Sequence, residues 1–135
     1  MDIEKHILAR IRAAIPGLKA VYLYGSRATG KHRPDSDFDV AVLSEKPLRD
    51  ADQFFNLQIE LAALTDAGVN LVDFRALPTV LQFEVLRARK RLFCADRPYC
   101  VAFEAGIFSE YQRFNEERKP VVEAFINRRL AHAQQ

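Results

Sequence analysis

The sequence predicts an α/β (α+β) protein: a mixed β-sheet flanked by helices, followed by a C-terminal helical extension. Three observations carry that expectation. Short β-rich runs alternate with helical periodicity, the helix after Asp50 is long enough to serve as a crossover between two strands, and from Asp96 onward the pattern turns helical. With 135 residues, 49% of them hydrophobic, the chain has the size of one compact domain with a working core. No repeat, low-complexity tract or linker divides it. It reads as a single domain over residues 1–135, with a core at about 19–96 and C-terminal helices at about 97–132.

Each element follows from local pattern. Ile3, Ile7, Leu8, Ile11 and Ile15 recur at helical spacing until Pro16-Gly17 stops them, which gives a first helix. Ala20 to Tyr24 is a short β-rich run ended by Gly25-Ser26, and the polar stretch Arg27 to Ser36, with Gly30 and Pro34 as turn formers, is expected to be a loop. Asp37 to Leu43 has the β-branched, apolar content of a second strand. After Asp50, Phe54, Leu57, Leu61 and Leu64 step at helical intervals as far as Gly68. Val69 to Phe74 is a third strand, Pro78 opens a helix to about Ala88, and Arg91 to Cys94 adds a short edge strand. Beyond Asp96, Phe103, Ile107, Tyr111 and Phe114 form one stripe, and Pro120 is expected to divide the pattern into two helices or kink a single one.

Composition narrows the partners. Twenty basic residues against eighteen acidic give a net charge of +2, too balanced for strong nucleic-acid binding through bulk charge, so any phosphate recognition must be local. The two cysteines, Cys94 and Cys100, complete neither a zinc site nor a disulfide framework and fit a reducing compartment. The N-terminal residues lack the basic flank and apolar stretch of a secretory signal, and no apolar run is long enough to span a bilayer. A cytoplasmic protein is the expectation.

Chemistry concentrates between Gly25 and Asp39. Strand alternation puts Asp37 and Asp39 on one side and Phe38 and Val40 on the other. Two anions side by side at the start of an apolar strand repel one another unless a cation sits between them, and a hard divalent ion such as magnesium suits carboxylates shared with substrate phosphates. Asp73 is a further charge inside a strand. If that strand lies beside the second, three carboxylates would hold two metal ions a few ångströms apart, the arrangement used in phosphoryl transfer, and Asp73 would take the proton from the attacking hydroxyl. Gly25-Ser26 supplies close backbone approach and a hydroxyl for a triphosphate, and Arg27 is the nearest cation for its charge. Lys31, His32 and Arg33 read as a solvated loop. The aromatic stripe of the C-terminal helix reads mainly as core, with a partner surface as the alternative.

Gly25-Ser26, ten residues, then Asp37-x-Asp39, with Asp73 on a later strand, resembles the signature of the DNA polymerase β-like nucleotidyltransferase superfamily. The lead-in Tyr22-Leu23-Tyr24-Gly25-Ser26-Arg27-Ala28 and the approach Arg33-Pro34-Asp35-Ser36-Asp37 are similar, more narrowly, to minimal nucleotidyltransferases, from about Lys19 to Asp96. The resemblance implies a nucleotidyltransferase fold, ATP with magnesium, Asp37 and Asp39 as metal ligands, and Asp73 completing the triad. Many such enzymes look like the antitoxin half of a HEPN-MNT toxin-antitoxin pair, in which AMP is transferred to a tyrosine of the HEPN ribonuclease, so a hetero-oligomer with a HEPN toxin is the partner expectation. Transfer to a small molecule or an RNA end, and neutralisation by binding without chemistry, stay open from sequence alone.

Overall fold

A computed structural model describes residues 2–133; Met1, Gln134 and Gln135 lie outside the described residues. Helix α1 (Ile3–Ala14) starts where the Asp2 carboxylate accepts the Glu4 amide at 3.1 Å, an N-cap that satisfies one of the free first-turn donors. Strand β1 (Leu18–Tyr24) leads through a short helix α2 (Ser26–Thr29) to β2 (Phe38–Ser44), and Asp50 caps α3 (Ala51–Ala62) by accepting the Gln53 amide at 3.0 Å. Strand β3 (Val69–Asp73), a 3-10 turn at Phe74–Ala76, α4 (Thr79–Arg87), β4 (Arg91–Cys94) and α5 (Arg97–Ala133) complete the chain.

The sheet order is β3-β2-β1-β4. β1 is antiparallel to both β2 and β4, whereas β2 and β3 are parallel and joined by α3 as the crossover, so the sheet is mixed as expected. The central strands read as apolar runs because both faces are covered. Val21, Leu23, Val40, Val42 and Leu71 point to one face and pack with Ile7 and Ile11 of α1 and Leu57 and Leu61 of α3. Ala20, Tyr22, Ala41 and Leu43 point to the other and pack with Phe74, Val85 of α4, and Cys100 and Ile107 of α5. Phe74 is fully buried there, edge-on to Tyr22 and Phe103 at 4.9 and 5.2 Å between ring centroids.

A local expectation is corrected: the stretch after Gly25, read as loop, begins with the turn of helix α2, closed by Gly30 at φ 78°. Of the two alternatives for the C-terminal segment, a single helix with Pro120 inside it is the one formed. Its surroundings explain the tolerance: every residue from Glu116 to His132 is exposed, so the carbonyl that proline leaves unpaired is open to water. The first half of α5 packs one face on the sheet through Cys100, Phe103 and Ile107, with Tyr111 stacked on Phe83 at 3.8 Å, but Phe108 and Phe114, expected as core, are exposed, as are Val121, Phe125, Ile126 and Leu130 in its second half.

Candidate active site

The site forms where β1 ends and β2 begins. Tyr24, the last residue of β1, is the register partner of Asp39 near the head of β2. Because paired residues share a face, their side chains stand together, and the Tyr24 phenol is held above its ordinary range by burial first and by the Asp39 charge second. The chain then turns at Gly25, with φ 71°, a conformation that L side chains rarely adopt. A Cβ on Gly25 would fall 2.3 Å from Oδ2 of Asp39. The Gly25 backbone therefore lies directly against the carboxylate, and α2 starts beside it with Ser26, the Ala28 and Thr29 amides returning to the Gly25 carbonyl at 3.1 and 3.3 Å.

The second carboxylate is placed by the start of β3. Oδ1 of Asp37 accepts the Gly68 amide at 3.1 Å, and a Cβ at Gly68 would meet that same oxygen at 2.6 Å. Phe38 follows as the register partner of Val69, and Asp39 as the partner of Asn70. Asp37 and Asp39 are thus held together at the head of the β2–β3 ladder, Asp37 exposed and Asp39 half-buried.

Arg27 is engaged within the protein. Its guanidinium donates from Nε and Nη2 to the Ser36 carbonyl at 3.1 and 3.0 Å and from Nη2 to the Pro34 carbonyl at 3.0 Å, and it stacks over the Phe38 ring at 4.2 Å. These bonds tie helix α2 to the loop that delivers Asp37. Arg27 thus braces the site.

Asp73 is the main correction. It is the register partner of Val42, well along β2 from Asp39 and on the opposite face of the sheet. Its carboxylate accepts the Arg75 amide at 3.2 Å and caps the 3-10 turn, and Arg75 in turn reaches the carbonyl of Ser44, the last residue of β2. Asp73 therefore belongs to the far end of the sheet. The residue beside Asp39 is Asn70, whose Nδ2 donates to Asp39 Oδ1 at 3.0 Å. Among the described residues, no three His, Cys, Asp or Glu side chains converge on one metal position. The hard oxygens of Asp37 and Asp39 still fit magnesium, which binds through one or two carboxylates and leaves its remaining positions to water and phosphate. With Asp73 at the far end of the sheet, two carboxylates rather than three stand at this position.

Sequence comparison gives this geometry a family. Residues 8–98 match the family model described as polymerase beta, nucleotidyltransferase. The chain belongs to the polymerase beta nucleotidyltransferase family. It is 32% identical over 130 residues to the protein adenylyltransferase MntA of Shewanella oneidensis, covering 96% of this chain and 92% of that one. A crystal structure of a toxin-antitoxin with AMP-PNP superposes with a TM-score of 0.78 at 31% identity, covering 91% of this nucleotidyltransferase and 98% of that chain. A structure of tri-AMPylated Shewanella oneidensis HEPN toxin in complex with MNT antitoxin superposes with a TM-score of 0.74 at 29% identity, covering 92% and 96%. The nucleotidyltransferase fold and its C-terminal helix are thus shared along nearly the whole chain. No helix among the described residues is long and apolar enough to cross a membrane.

Proposed function

We propose that this nucleotidyltransferase is a protein adenylyltransferase: it moves AMP from ATP to a tyrosine of a HEPN toxin partner and thereby acts as the antitoxin. One observation carries the reading. Gly25 lies against the Asp39 carboxylate at the head of the sheet, with Asp37 two residues before it held by Gly68, in a chain that is 32% identical to an adenylyltransferase over 96% of its length.

Each residue then has a task. Gly25 presents bare backbone where phosphate oxygens must approach, and the Ser26 hydroxyl with the Ser26 and Arg27 amides at the start of α2 are hydrogen-bond donors for them. Asp37 and Asp39 would hold magnesium, which, when bound, offsets the charge of the triphosphate and of the departing pyrophosphate. Gly68 fixes Asp37 and Asn70 fixes Asp39, so neither carboxylate needs to reorganise on binding. The acceptor hydroxyl gives its proton to water, its oxygen attacks the α-phosphorus, the bond from that phosphorus to the bridging oxygen breaks, and pyrophosphate leaves with the electron pair. The hetero-oligomer with the toxin would be cytoplasmic, where ATP is abundant and Cys94 and Cys100 stay free thiols.

Mass spectrometry of the co-purified HEPN partner after incubation with ATP and magnesium tests the reading. An increase by whole AMP units on a tyrosine is expected. An unmodified partner within an intact complex, or label from ATP appearing on RNA or a small molecule instead, would overturn it.

A further inference from the structure

The position beside Asp39, where a third carboxylate would serve as proton acceptor, holds an amide. Asn70 is the register partner of Asp39, shares its face, and points its Nδ2 donor at Asp39 Oδ1 at 3.0 Å. The titratable groups facing this pair are Asp39 itself, Asp37 at the head of β2, and Tyr24 on β1; Asp73 of β3 faces the other way and is engaged by the Arg75 amide. Both Asp37 and Asp39 already accept hydrogen bonds from β3 and its leading residue. An amide has no basic site for a proton, so the neighbour of Asp39 has no general-base function.

We infer that Asn70 is a specificity-determining residue that makes transfer depend on the acidity of the acceptor hydroxyl, admitting phenols and excluding aliphatic alcohols. The inference rests on the adenylyltransferase reading above. A phenol, ionising near pH 10, gives up its proton to solvent far more readily than a serine, threonine or ribose hydroxyl. The phenolate oxygen then forms the bond to the α-phosphorus, pyrophosphate leaves with the electron pair, and the proton has already gone to water. An alcohol would need a base at the moment of attack, and the site places an amide there. Asn70 acts through Asp39 and through what it cannot accept; it is a positioning residue.

The test uses the complex of this chain with its HEPN partner, whose modified tyrosine is first located by mass spectrometry. That tyrosine is replaced by serine and by fluorotyrosines of graded acidity, and initial rates of AMP transfer are measured at a fixed neutral pH. With the unaltered enzyme, the rate is expected to rise several-fold for each unit of acidity gained by the phenol and to be undetectable on serine. With Asn70→Asp, the dependence on phenol acidity flattens and transfer to serine becomes detectable. A rate indifferent to fluorination, or equal transfer to serine and tyrosine, would overturn the inference while leaving the adenylyltransferase reading standing. The fluorotyrosine series decides the matter even if Asn70→Asp fails to fold, because it needs only the unaltered chain. Absence of AMP on every acceptor, tyrosine included, would instead sink the reading on which it rests.

Discussion

The carboxylate of Asp39 occupies the space that any side chain on Gly25 would need, with Oδ2 at 2.3 Å from the place of the missing Cβ. Glycine is therefore required twice at this corner, once for its φ of 71° and once for clearance. Gly25→Ala should destabilise the fold by about 1–3 kcal/mol and displace Asp39. Urea unfolding would read the first effect and AMP transfer the second; a variant with unchanged stability and turnover would contradict the proposed fit.

Replacing Asp37 and Asp39 by Asn separates chemistry from occlusion. Both side chains lie at the surface end of the sheet and the change preserves shape, so the fold and the complex with the partner should survive while transfer falls by roughly 100-fold or more. Size-exclusion chromatography and radiolabelled ATP measure the two properties. If the partner stays silenced by the double variant, binding alone neutralises it.

Arg27 should matter to loop order more than to nucleotide charge. Losing its hydrogen bonds to Ser36 and Pro34 and its stacking on Phe38 should cost about 1–2 kcal/mol and speed amide exchange through residues 31–36. Arg27→Lys should rescue little, because an ammonium cannot reproduce the planar fork. Rescue by lysine would favour a simple charge role toward phosphate.

Stability should fall in alkali. Tyr22 is buried and donates to Glu104 Oε1 at 2.7 Å; burial first and this hydrogen bond second hold its phenol far above the ordinary value of 10.0. The folded state thus keeps a proton that the unfolded chain releases above pH 10.0, so the contribution is full below that pH and is lost as pH rises. Cys100, pushed from 9.0 up to about 11 by burial and by its neighbour Cys94, starts the same loss earlier. Urea midpoints measured from pH 7 to 11 should fall above about 9, and Tyr22→Phe should make the upper part of that fall shallower. A flat profile in the unaltered protein would refute the linkage.

Much of the site was legible in the chain because its signals are local. Gly25-Ser26, the alternation that sets Asp37 and Asp39 apart from Phe38, and the helix long enough to join parallel strands are all read from contiguous stretches of chain. The neighbour of Asp39 was not local. Asn70 and Asp73 lie three residues apart on one strand and so face opposite sides; charge singled out Asp73, but the pairing of Phe38 with Val69 fixes Asn70 beside Asp39. In the same way, sequence showed that Arg27 is a cation, and only the folded loop showed that its hydrogen bonds go to Ser36 and Pro34. Local pattern determined which residues form strands and helices. Inter-strand register, set by long-range packing, decided which of them meet.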